Sequence, residues 1–420
     1  MGEPQTFDTL DALIGNVRQA VADTVITDIH THLFPPSHGE LLLWGVDELL
    51  TYHYLVAELF TVAPRELTPE KFWTLPKSQQ AELIWQHLFI NRGPMSEARR
   101  GVLTTLNALG LDTAKRDLPG IRRWFAEQNV EDYLRQVFEL ANLNVAVMTN
   151  DPFVAEEVRH WEEARPIPAR LRAALRIDTL ILDWPKAAKA LKAQGYKVKK
   201  DPDAKSYDEA RRFLADWAKT FRPVYMAASL PPEFAYPAKN LPAKVVKKVI
   251  LPAAEELNLP MAMMIGVRKR VNAALGDGGD AVGVADVTAV QNLCAENPKV
   301  KFLVTMLSRV NQHELTVCAR KFGNLHLFGC WWFCNNPSII DEMTRQRMEL
   351  LGTAFTAQHS DARVLDQLIY KWSHTRALVA DVLAEKYADL WRAGWRPTGE
   401  EVRRDVRAIF GGSFEAFCAK

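Results

Sequence analysis

Short apolar segments recur along the chain and alternate with longer stretches of helical periodicity. This alternation is typical of parallel βα units, in which each buried strand is followed by a helix. Eight segments fit the strand pattern: 25–33, 144–150, 171–178, 223–230, 259–266, 301–307, 324–333 and 354–361. Eight such strands predict an α/β protein folded as a (β/α)8 TIM barrel, a fold whose catalytic side chains lie at the C-terminal ends of the strands.

The segments outside this pattern are mostly helical in periodicity. One helix is predicted over 7–22, and further helices over 364–420. Segment 34–143 is far longer than an ordinary connection between a strand and a helix, yet it carries helical patterns and no low-complexity sequence. It is therefore predicted to be a helical insertion after the first strand. Because no segment resembles a linker, we expect residues 1–420 to form a single domain.

Local signals describe three helices more closely. Asp47 is predicted to cap a helix that runs through ELLTYHYLVAELF. The sequence DYLRQVFELANL has the apolar spacing of an amphipathic helix near the end of the insertion. Thr398 and Glu401 fit a capping box, in which each side chain accepts a hydrogen bond from the backbone N–H of the other residue. These signals predict the starts of two helices and the buried face of a third.

Overall composition narrows the classes of partner. The chain has 420 residues, of which 48% are hydrophobic and 25% charged, and its formal net charge is +1. This balance is typical of a globular enzyme and does not suggest a nucleic acid or a membrane as partner. No run reaches the roughly 18 apolar residues of a membrane span, and the N-terminal sequence lacks the pattern of a signal peptide. We expect a cytoplasmic protein with a small-molecule substrate, and a homo-oligomer is left open.

The five cysteines have no spacing typical of a metal site or a disulfide framework. Cys330 and Cys334 are four residues apart, but the intervening WWF is interpreted as the buried end of a strand. A zinc site at these two residues is therefore disfavoured, and we expect the cysteines to be reduced thiols.

Two histidines in the first predicted strand form the strongest chemical signal. His30 and His32 lie two residues apart in DIHTHL, and because strand side chains alternate, both imidazoles point to the same face, which in a barrel is the interior. Two inward imidazoles in an apolar strand carry a desolvation cost unless they have a partner. A shared divalent metal removes that cost. The alternative is one structural histidine with an incidental neighbour.

A carboxylate near the other end of the sequence is expected to complete this group. Asp361 lies in QHSDAR, at the end of the eighth predicted strand, and closure of a barrel makes the first and last strands neighbours. Two imidazoles and one carboxylate suit zinc and leave positions for substrate or water. Asp361 could instead be the N-cap of a helix, and Arg363 could equally be a surface residue of that helix.

Several motifs together resemble the uronate isomerases, a family of the amidohydrolase superfamily. The HxH motif is followed by THLFxP, and LLTYHYLVAE, GCWWFxNNP and QHSDAR extend the similarity over nearly the whole chain. The resemblance implies metal-dependent interconversion of D-glucuronate with D-fructuronate, and of D-galacturonate with D-tagaturonate, through an enediol intermediate. It implies His30, His32 and Asp361 as metal ligands and His53, Tyr54 and Arg363 around the substrate.

Asp361 is expected to move protons in this reaction, while His53, Tyr54 and Arg363 stabilise and orient the polar substrate. His53 and Tyr54 are adjacent in sequence, so a helix end would be needed to aim both at the barrel mouth. The alternatives are core packing for Tyr54 and solvent exposure for His53.

Three further residues are weaker candidates for substrate binding. Arg176 ends the third predicted strand, and its guanidinium could bind the substrate carboxylate through two hydrogen bonds; a structural ion pair is the alternative. A family arginine aligns with Lys269 in RKR, for which a solvated run of charges is the alternative. Trp331 is expected to form the apolar wall of the sugar pocket, with one member of the Trp331–Trp332 pair used for packing.

Strands four and five determine how many metals are expected. Hydrolytic relatives hold a second metal with a Lys or Glu on strand four and a His on strand five, whereas PVYMAASL contains neither and Met264 stands where the histidine is common. We therefore expect one divalent metal, with zinc as the expected ion. The alternatives to an isomerase are a mononuclear hydrolase or lactonase of the same superfamily and a non-catalytic barrel that binds sugar acids.

Overall fold

The computed structural model describes residues 6–420. Residues 1–5 lie outside that range. They are the start of the predicted single domain and of the N-terminal sequence that is predicted not to be a signal peptide. The strands are β1 (Ile26–Thr31), β2 (Leu143–Asn150), β3 (Leu171–Arg176), β4 (Met226–Leu230), β5 (Met261–Ile265), β6 (Val267–Arg268), β7 (Ala281–Val282), β8 (Phe302–Met306) and β9 (Leu325–Leu327). Seven of them form a parallel sheet in the order β1-β2-β3-β4-β5-β8-β9, and β6 pairs with β7 in a short antiparallel hairpin.

Helices follow the strands and fill the long segment between β1 and β2. Their bounds are α1 (Leu10–Asp23), α2 (Val46–Leu50), α3 (His53–Leu59), α4 (Pro69–Trp73), α5 (Lys77–Trp85), α6 (Glu97–Ala108), α7 (Leu118–Ala126), α8 (Val130–Leu140), α9 (Ala155–Glu162), α10 (Asp178–Leu182), α11 (Trp184–Ala193), α12 (Ala204–Phe221), α13 (Leu241–Val245), α14 (Leu251–Glu256), α15 (Thr288–Glu296), α16 (Gln312–Ala319), α17 (Pro337–Leu351), α18 (Gln367–Arg392), α19 (Gly399–Arg407) and α20 (Ser413–Ala419). None of the helices in the described range is both long and apolar enough to cross a membrane.

Both faces of the sheet are buried. The face toward the helices carries large apolar side chains such as Met148, Leu175, Met226, Met263 and Val304. The opposite face carries Ile29, Val147, Ala174, Ala262 and Met264, against which Phe414 and Phe417 of α20 pack. Burial on both faces explains why the strands are almost continuously apolar in sequence, which is the pattern expected of a parallel sheet.

The first six predicted strands are confirmed and the seventh is confirmed only at Leu325–Leu327, whereas the prediction of a strand at 354–361 is wrong. Thr356 forms one bridge with Phe328, and the backbone N–H of Asp361 donates to the carbonyl of His30 at 3.1 Å. Between these contacts the backbone forms no ladder: the N–H of Ala357 donates to the carbonyl of Ile409, and the N–H of Ser360 donates to Asp28. The left-handed backbone of Asp361, with a φ of 51°, ends the extended conformation.

Two local predictions are corrected and two are confirmed. Asp47 does not cap a helix: α2 follows Gly45 without a side-chain cap, and Asp47, already inside α2, accepts a hydrogen bond from Arg122. The single helix expected there is two helices, because the chain breaks between α2 and α3. The amphipathic helix is α8, and Thr398 and Glu401 form the predicted capping box of α19.

The interpretation of WWF as a strand end is also wrong. Strand β9 ends at Leu327, and Trp332–Cys334 form a single 3₁₀ turn. Cys330 and Cys334 are nevertheless both buried, and all five cysteines are free thiols, as expected.

Candidate active site

The C-terminal end of β1 carries the histidine pair. His30 is only 1% exposed, and its Nδ1 lies 3.1 Å from the hydroxyl oxygen of Tyr225. That hydroxyl donates its own proton to the carbonyl of Ile29 at 2.6 Å, so Nδ1 of His30 must be the donor toward Tyr225. The other nitrogen, Nε2, therefore keeps a free lone pair, which is the state that a metal ligand needs.

Asp361 meets the histidines from the other end of the chain. Its Oδ1 lies 3.7 Å from Nε2 of His30 and 3.1 Å from Nε2 of His32. One ligand atom from each of the three residues lies within 4.8 Å of the others. Because α18 begins only at Gln367, with Asp366 at its N-cap position, the alternative of Asp361 as a helix cap is excluded.

Burial and neighbouring charges set the protonation states of this group. Burial lowers the pKa of both His30 and His32. Burial alone would raise the pKa of Asp361, but His32, His30 and the ammonium of Lys371 hold that pKa well below its usual range. At neutral pH the carboxylate of Asp361 is therefore ionised, and burial favours the neutral form of both imidazoles.

This donor set fits a divalent cation. Nε2 of His30 and Oδ1 of Asp361 are buried, and within the described residues neither makes a hydrogen bond of acceptable geometry. Buried polar atoms without a partner are rare in proteins and call for an explanation such as a missing ion. Imidazole nitrogens with a carboxylate oxygen are ligands that zinc accepts. Across residues 6–420, this is the one group of three or more His, Cys, Asp or Glu side chains that converges in this way.

A cavity of about 500 Å³ opens beside the group. Besides His32 and Asp361, its wall contains five of the residues predicted from the sequence: His53, Arg176, Lys269, Trp331 and Arg363. They come from separate segments of the chain, and only the fold brings them to one cavity. Their roles toward a substrate stay predictions.

Each cation in the cavity wall has a carboxylate partner. The pairs are Nε of Arg176 with Asp178 at 2.9 Å, Nζ of Lys269 with Asp280 at 2.6 Å and Nη1 of Arg363 with Asp277 at 2.6 Å. A charge-assisted hydrogen bond fixes the direction of a long side chain. Arg176 therefore forms an ion pair and also lines the cavity. Sequence analysis had treated a structural ion pair and a role in the substrate site as alternatives for this residue.

A solved uronate isomerase from Bacillus halodurans C-125 is 51% identical in sequence to this chain, with a TM-score of 0.96, and the alignment covers 99% of this chain and 98% of that one. The chain belongs to the uronate isomerase family. No family model matches the chain, and no curated protein matches it.

Two more distant members share the fold. A uronate isomerase from Thermotoga maritima is 16% identical, with a TM-score of 0.76, over 98% of this chain and 100% of that one. A glucuronate isomerase from Caulobacter crescentus is 15% identical, with a TM-score of 0.73, over 98% and 96% of the two chains.

In this member of the uronate isomerase family, Tyr54 does not line the cavity beside Asp361. It lines a neighbouring cavity of about 270 Å³, and His53 and Trp332 belong to the walls of both cavities. His53 begins α3, and burial, assisted by Arg363, lowers its pKa to about 3. His53 therefore faces the cavity as a neutral imidazole at neutral pH.

The expectation that only one of the two tryptophans would face the pocket is wrong. Trp331 and Trp332 are 3% and 9% exposed, and both line the cavity. The strict alternation expected of a strand does not apply, because Trp332 starts a 3₁₀ turn.

Three residues beside the histidines were missed in the sequence. Asp28 lies two residues before His30, but strand alternation does not locate it, because β1 is irregular between Asp28 and Thr31 and the carboxylate of Asp28 instead contacts Trp372 of α18. Tyr225 sits in the fourth predicted strand, where only a Lys or Glu was sought. Lys371 has no local signal, since QLIYKWSHT reads as an ordinary helix. It is nevertheless 3% exposed, and burial lowers its pKa to about 8 although Asp361 and Asp28 act in the opposite direction.

Proposed function

We propose that this chain is a uronate isomerase that interconverts D-glucuronate with D-fructuronate and D-galacturonate with D-tagaturonate. The observation that carries the proposal is the 51% identity, over 99% of the chain, to a protein described as a uronate isomerase. The cavity supports it, since a polar acid of this size needs cations, hydrogen-bonding groups and an apolar wall in one place. Arg176, Lys269 and Trp331 supply these features.

One divalent ion, most simply zinc, would be held by His30, His32 and Asp361. When bound, such an ion acts as a Lewis acid that polarises substrate oxygen atoms and lowers the pKa of the groups attached to them. The chain's own contribution is the preparation of the donor atoms: Tyr225 leaves Nε2 of His30 unprotonated, and the neighbouring charges keep Asp361 ionised.

The substrate is proposed to lie extended across the cavity. Arg176 would bind its carboxylate, since a guanidinium donates two parallel hydrogen bonds to a carboxylate. Trp331 would cover the apolar face of the carbon chain. Lys269 would provide a second positive charge at the rim, where its ammonium is 5.7 Å from the centroid of the Trp332 ring.

Aldose–ketose isomerisation moves one proton between C2 and C1 and a second proton between the oxygens on C2 and C1 as the carbonyl changes place. Asp361 is proposed to carry the first of these protons, because its carboxylate lies in the cavity wall beside the histidines. The fixed positive charge of Arg363 would stabilise negative charge that develops on the substrate oxygens. Neutral His53 would donate or accept a hydrogen bond at a substrate hydroxyl, and Tyr54 would support His53 from behind instead of touching the substrate.

We also propose that segment 354–361 completes a (β/α)8 barrel by lying between β9 and β1. The hydrogen bonds of Thr356 with Leu327 and of Asp361 with His30 support this closure. The helices α2–α8 would then be an insertion into one domain. A cytoplasmic location and the absence of nucleic-acid and membrane partners are parts of the same proposal, and a homo-oligomer is left open.

The deciding experiment is a coupled assay of the purified, zinc-loaded protein with D-glucuronate and D-galacturonate, in which reduction of the ketose product is followed. We expect turnover of both uronates, no hydrolysis of lactones or amides, and about one metal ion per chain by elemental analysis. Hydrolysis without isomerisation would replace the proposal with the hydrolase alternative. A metal content near two per chain would contradict the single site.

A further inference from the structure

A lysine ammonium is buried directly behind the proposed proton carrier. Lys371 lies in the first turns of α18 and is 3% exposed. Its Nζ donates a hydrogen bond to the backbone carbonyl of Ser360 at 2.5 Å. Lysine is almost never fully buried unless it has a specific partner. The burial of this ammonium therefore has to be explained by the group to which it donates its hydrogen bond.

The carbonyl that Lys371 binds belongs to the peptide unit between Ser360 and Asp361. The N–H of the same peptide unit donates to the carbonyl of His30 at 3.1 Å. Both polar groups of this unit are thus fixed, one by the lysine and one by the strand that carries the histidines. Asp361 follows in the left-handed conformation, with a φ of 51°, which non-glycine residues hold only where the surroundings impose it.

The preceding peptide N–H is held by a charge of the opposite sign. The backbone N–H of Ser360 donates to Oδ1 of Asp28 at 3.1 Å, and the other oxygen of Asp28 accepts from Nε1 of Trp372 at 2.9 Å. Lys371 and Trp372, neighbours in α18, therefore hold the same short segment through its carbonyl and through Asp28. The two buried charges, one on each side of the Ser360 backbone, also reduce the cost of burying each other.

We propose that Lys371 is a positioning residue for the isomerisation: by holding the Ser360 carbonyl, it keeps Asp361 in the left-handed conformation that directs its carboxylate to His30 and His32. Lys371 is not in the wall of the cavity beside Asp361; it lines the neighbouring cavity of about 270 Å³ that also contains Tyr54. As a statement about turnover the inference rests on the proposed function, but the placement of the carboxylate can be tested without any turnover.

The test compares Lys371→Met and Lys371→Gln with Lys301→Met as a matched control. Lys301 also donates its ammonium to a backbone carbonyl, that of Cys418 at 2.7 Å, but at the opposite end of the molecule. For Lys371→Met we expect kcat to fall by about 10²-fold, because a catalytic group displaced by about 1 Å loses this much. The KM should change by less than about threefold, since Arg176 and Trp331 remain. The control should keep both values.

The second readout is the dissociation constant for zinc, measured by competition with a chromophoric chelator. We expect it to rise by about tenfold or more in both Lys371 variants, as when a residue that supports a metal ligand is removed, and to stay unchanged in Lys301→Met. This readout stands even if the parent protein turns over neither uronate, an outcome that would refute the proposed function alone.

Unchanged kcat together with unchanged zinc affinity in a folded Lys371 variant would overturn the inference. So would equal losses in the Lys301 control, which would point to a general need for lysine–carbonyl contacts. If neither Lys371→Met nor Lys371→Gln yields folded protein, the lysine has a structural role for the whole chain, and the specific role at Asp361 is likewise rejected.

Discussion

Recognition of the substrate's charge is proposed to depend on single residues of the cavity, first of all on Arg176. Arg176→Met keeps most of the side-chain volume and removes the guanidinium, so kcat/KM for D-glucuronate should fall by about 10- to 100-fold. A neutral analogue that lacks the carboxylate should lose much less. Arg309→Met, which removes an exposed arginine paired with Glu342 at 2.7 Å, is the control. Equal losses for both substrates would remove Arg176 from carboxylate binding.

The proton transfer is tested at Asp361. Asp361→Asn keeps the size and one oxygen ligand but removes the proton acceptor, so kcat should fall by roughly 10²- to 10⁴-fold, as for other general bases. Exchange of deuterium from C2 of D-glucuronate should slow in parallel. Both rates are to be measured on protein whose metal content equals that of the parent. Near-normal turnover by such a sample would refute the role of Asp361 as proton carrier.

Tyr225 is expected to act through the tautomer of His30. Tyr225→Phe removes the oxygen that accepts the Nδ1 proton, so His30 loses the contact that keeps Nε2 available. We expect the zinc affinity to fall by about tenfold and the free energy of unfolding to fall by about 1–3 kcal/mol, because Nδ1 of His30 and the carbonyl of Ile29 lose their buried partner. Tyr196→Phe, which breaks a hydrogen bond with Asp216 at 3.0 Å outside the site, should leave the affinity unchanged. An unchanged affinity in Tyr225→Phe would show that other contacts orient His30.

At the scale of elements, the junction after β9 depends on a glycine. Gly329 has a φ of 64°, and a Cβ there would lie 1.7 Å from Nδ1 of His359, whose ring centroid is 5.4 Å from that of His30. Gly352 has nearly the same φ, 63°, but a Cβ there would meet open space. Gly352 has a ψ of −118°, outside the left-handed α region, so Gly352→Ala should cost about 1–3 kcal/mol for the backbone alone, and the clash should add about 1–3 kcal/mol more in Gly329→Ala.

Urea denaturation of the two alanine variants and the parent measures this difference directly. Gly329→Ala should also reduce turnover. Either His359 moves toward His30, His32 and Asp361, or the backbone after β9 moves away from these three residues. Equal destabilisation by the two substitutions would mean that the junction yields without displacing His359.

At the scale of the whole molecule, the packing of α20 under the sheet predicts a pH effect on stability. His326 of β9 is 3% exposed and stacks on Phe417 of α20, with 5.2 Å between the ring centroids. Burial, assisted by Arg347 and Lys420, lowers its pKa to about 3. In the unfolded chain this pKa is about 6.5, so below that pH the unfolded chain binds a proton at His326 that the folded chain does not bind. The contribution of His326 to the free energy of unfolding is therefore fully present above about pH 6.5 and is lost as the pH falls toward 3.

Between pH 7.5 and pH 5, this single residue should reduce the unfolding free energy by about 2 kcal/mol. His326→Gln can keep the hydrogen bond with Thr356 but cannot take up a proton. The drop in unfolding free energy between these two pH values, measured by urea denaturation, should thus be about 2 kcal/mol smaller in the variant than in the parent. The same drop in both proteins would show that His326 does not contribute to the acid sensitivity.

The sequence by itself determined the features that depend on neighbours along the chain. Alternating side chains in an apolar strand placed His30 and His32 on one face, and the capping pattern of Thr398 and Glu401 located the start of α19. These predictions succeeded because strand and helix periods are local properties of the backbone. Closure of the predicted barrel added Asp361, and the motif resemblance added the family and, with it, His53, Tyr54 and Arg363 around the substrate.

The tertiary structure alone decided what depends on contacts between distant segments. Asp28, Tyr225 and Lys371 support the site from β1, the start of β4 and α18, and nothing local in the sequence marks the lysine as buried. Segment 354–361 also departs from a regular strand, because buried side chains take hydrogen bonds that a ladder would otherwise use. Such contacts depend on which groups come together in the folded core, where most buried polar atoms find a partner, and the periodicity of the sequence does not specify them.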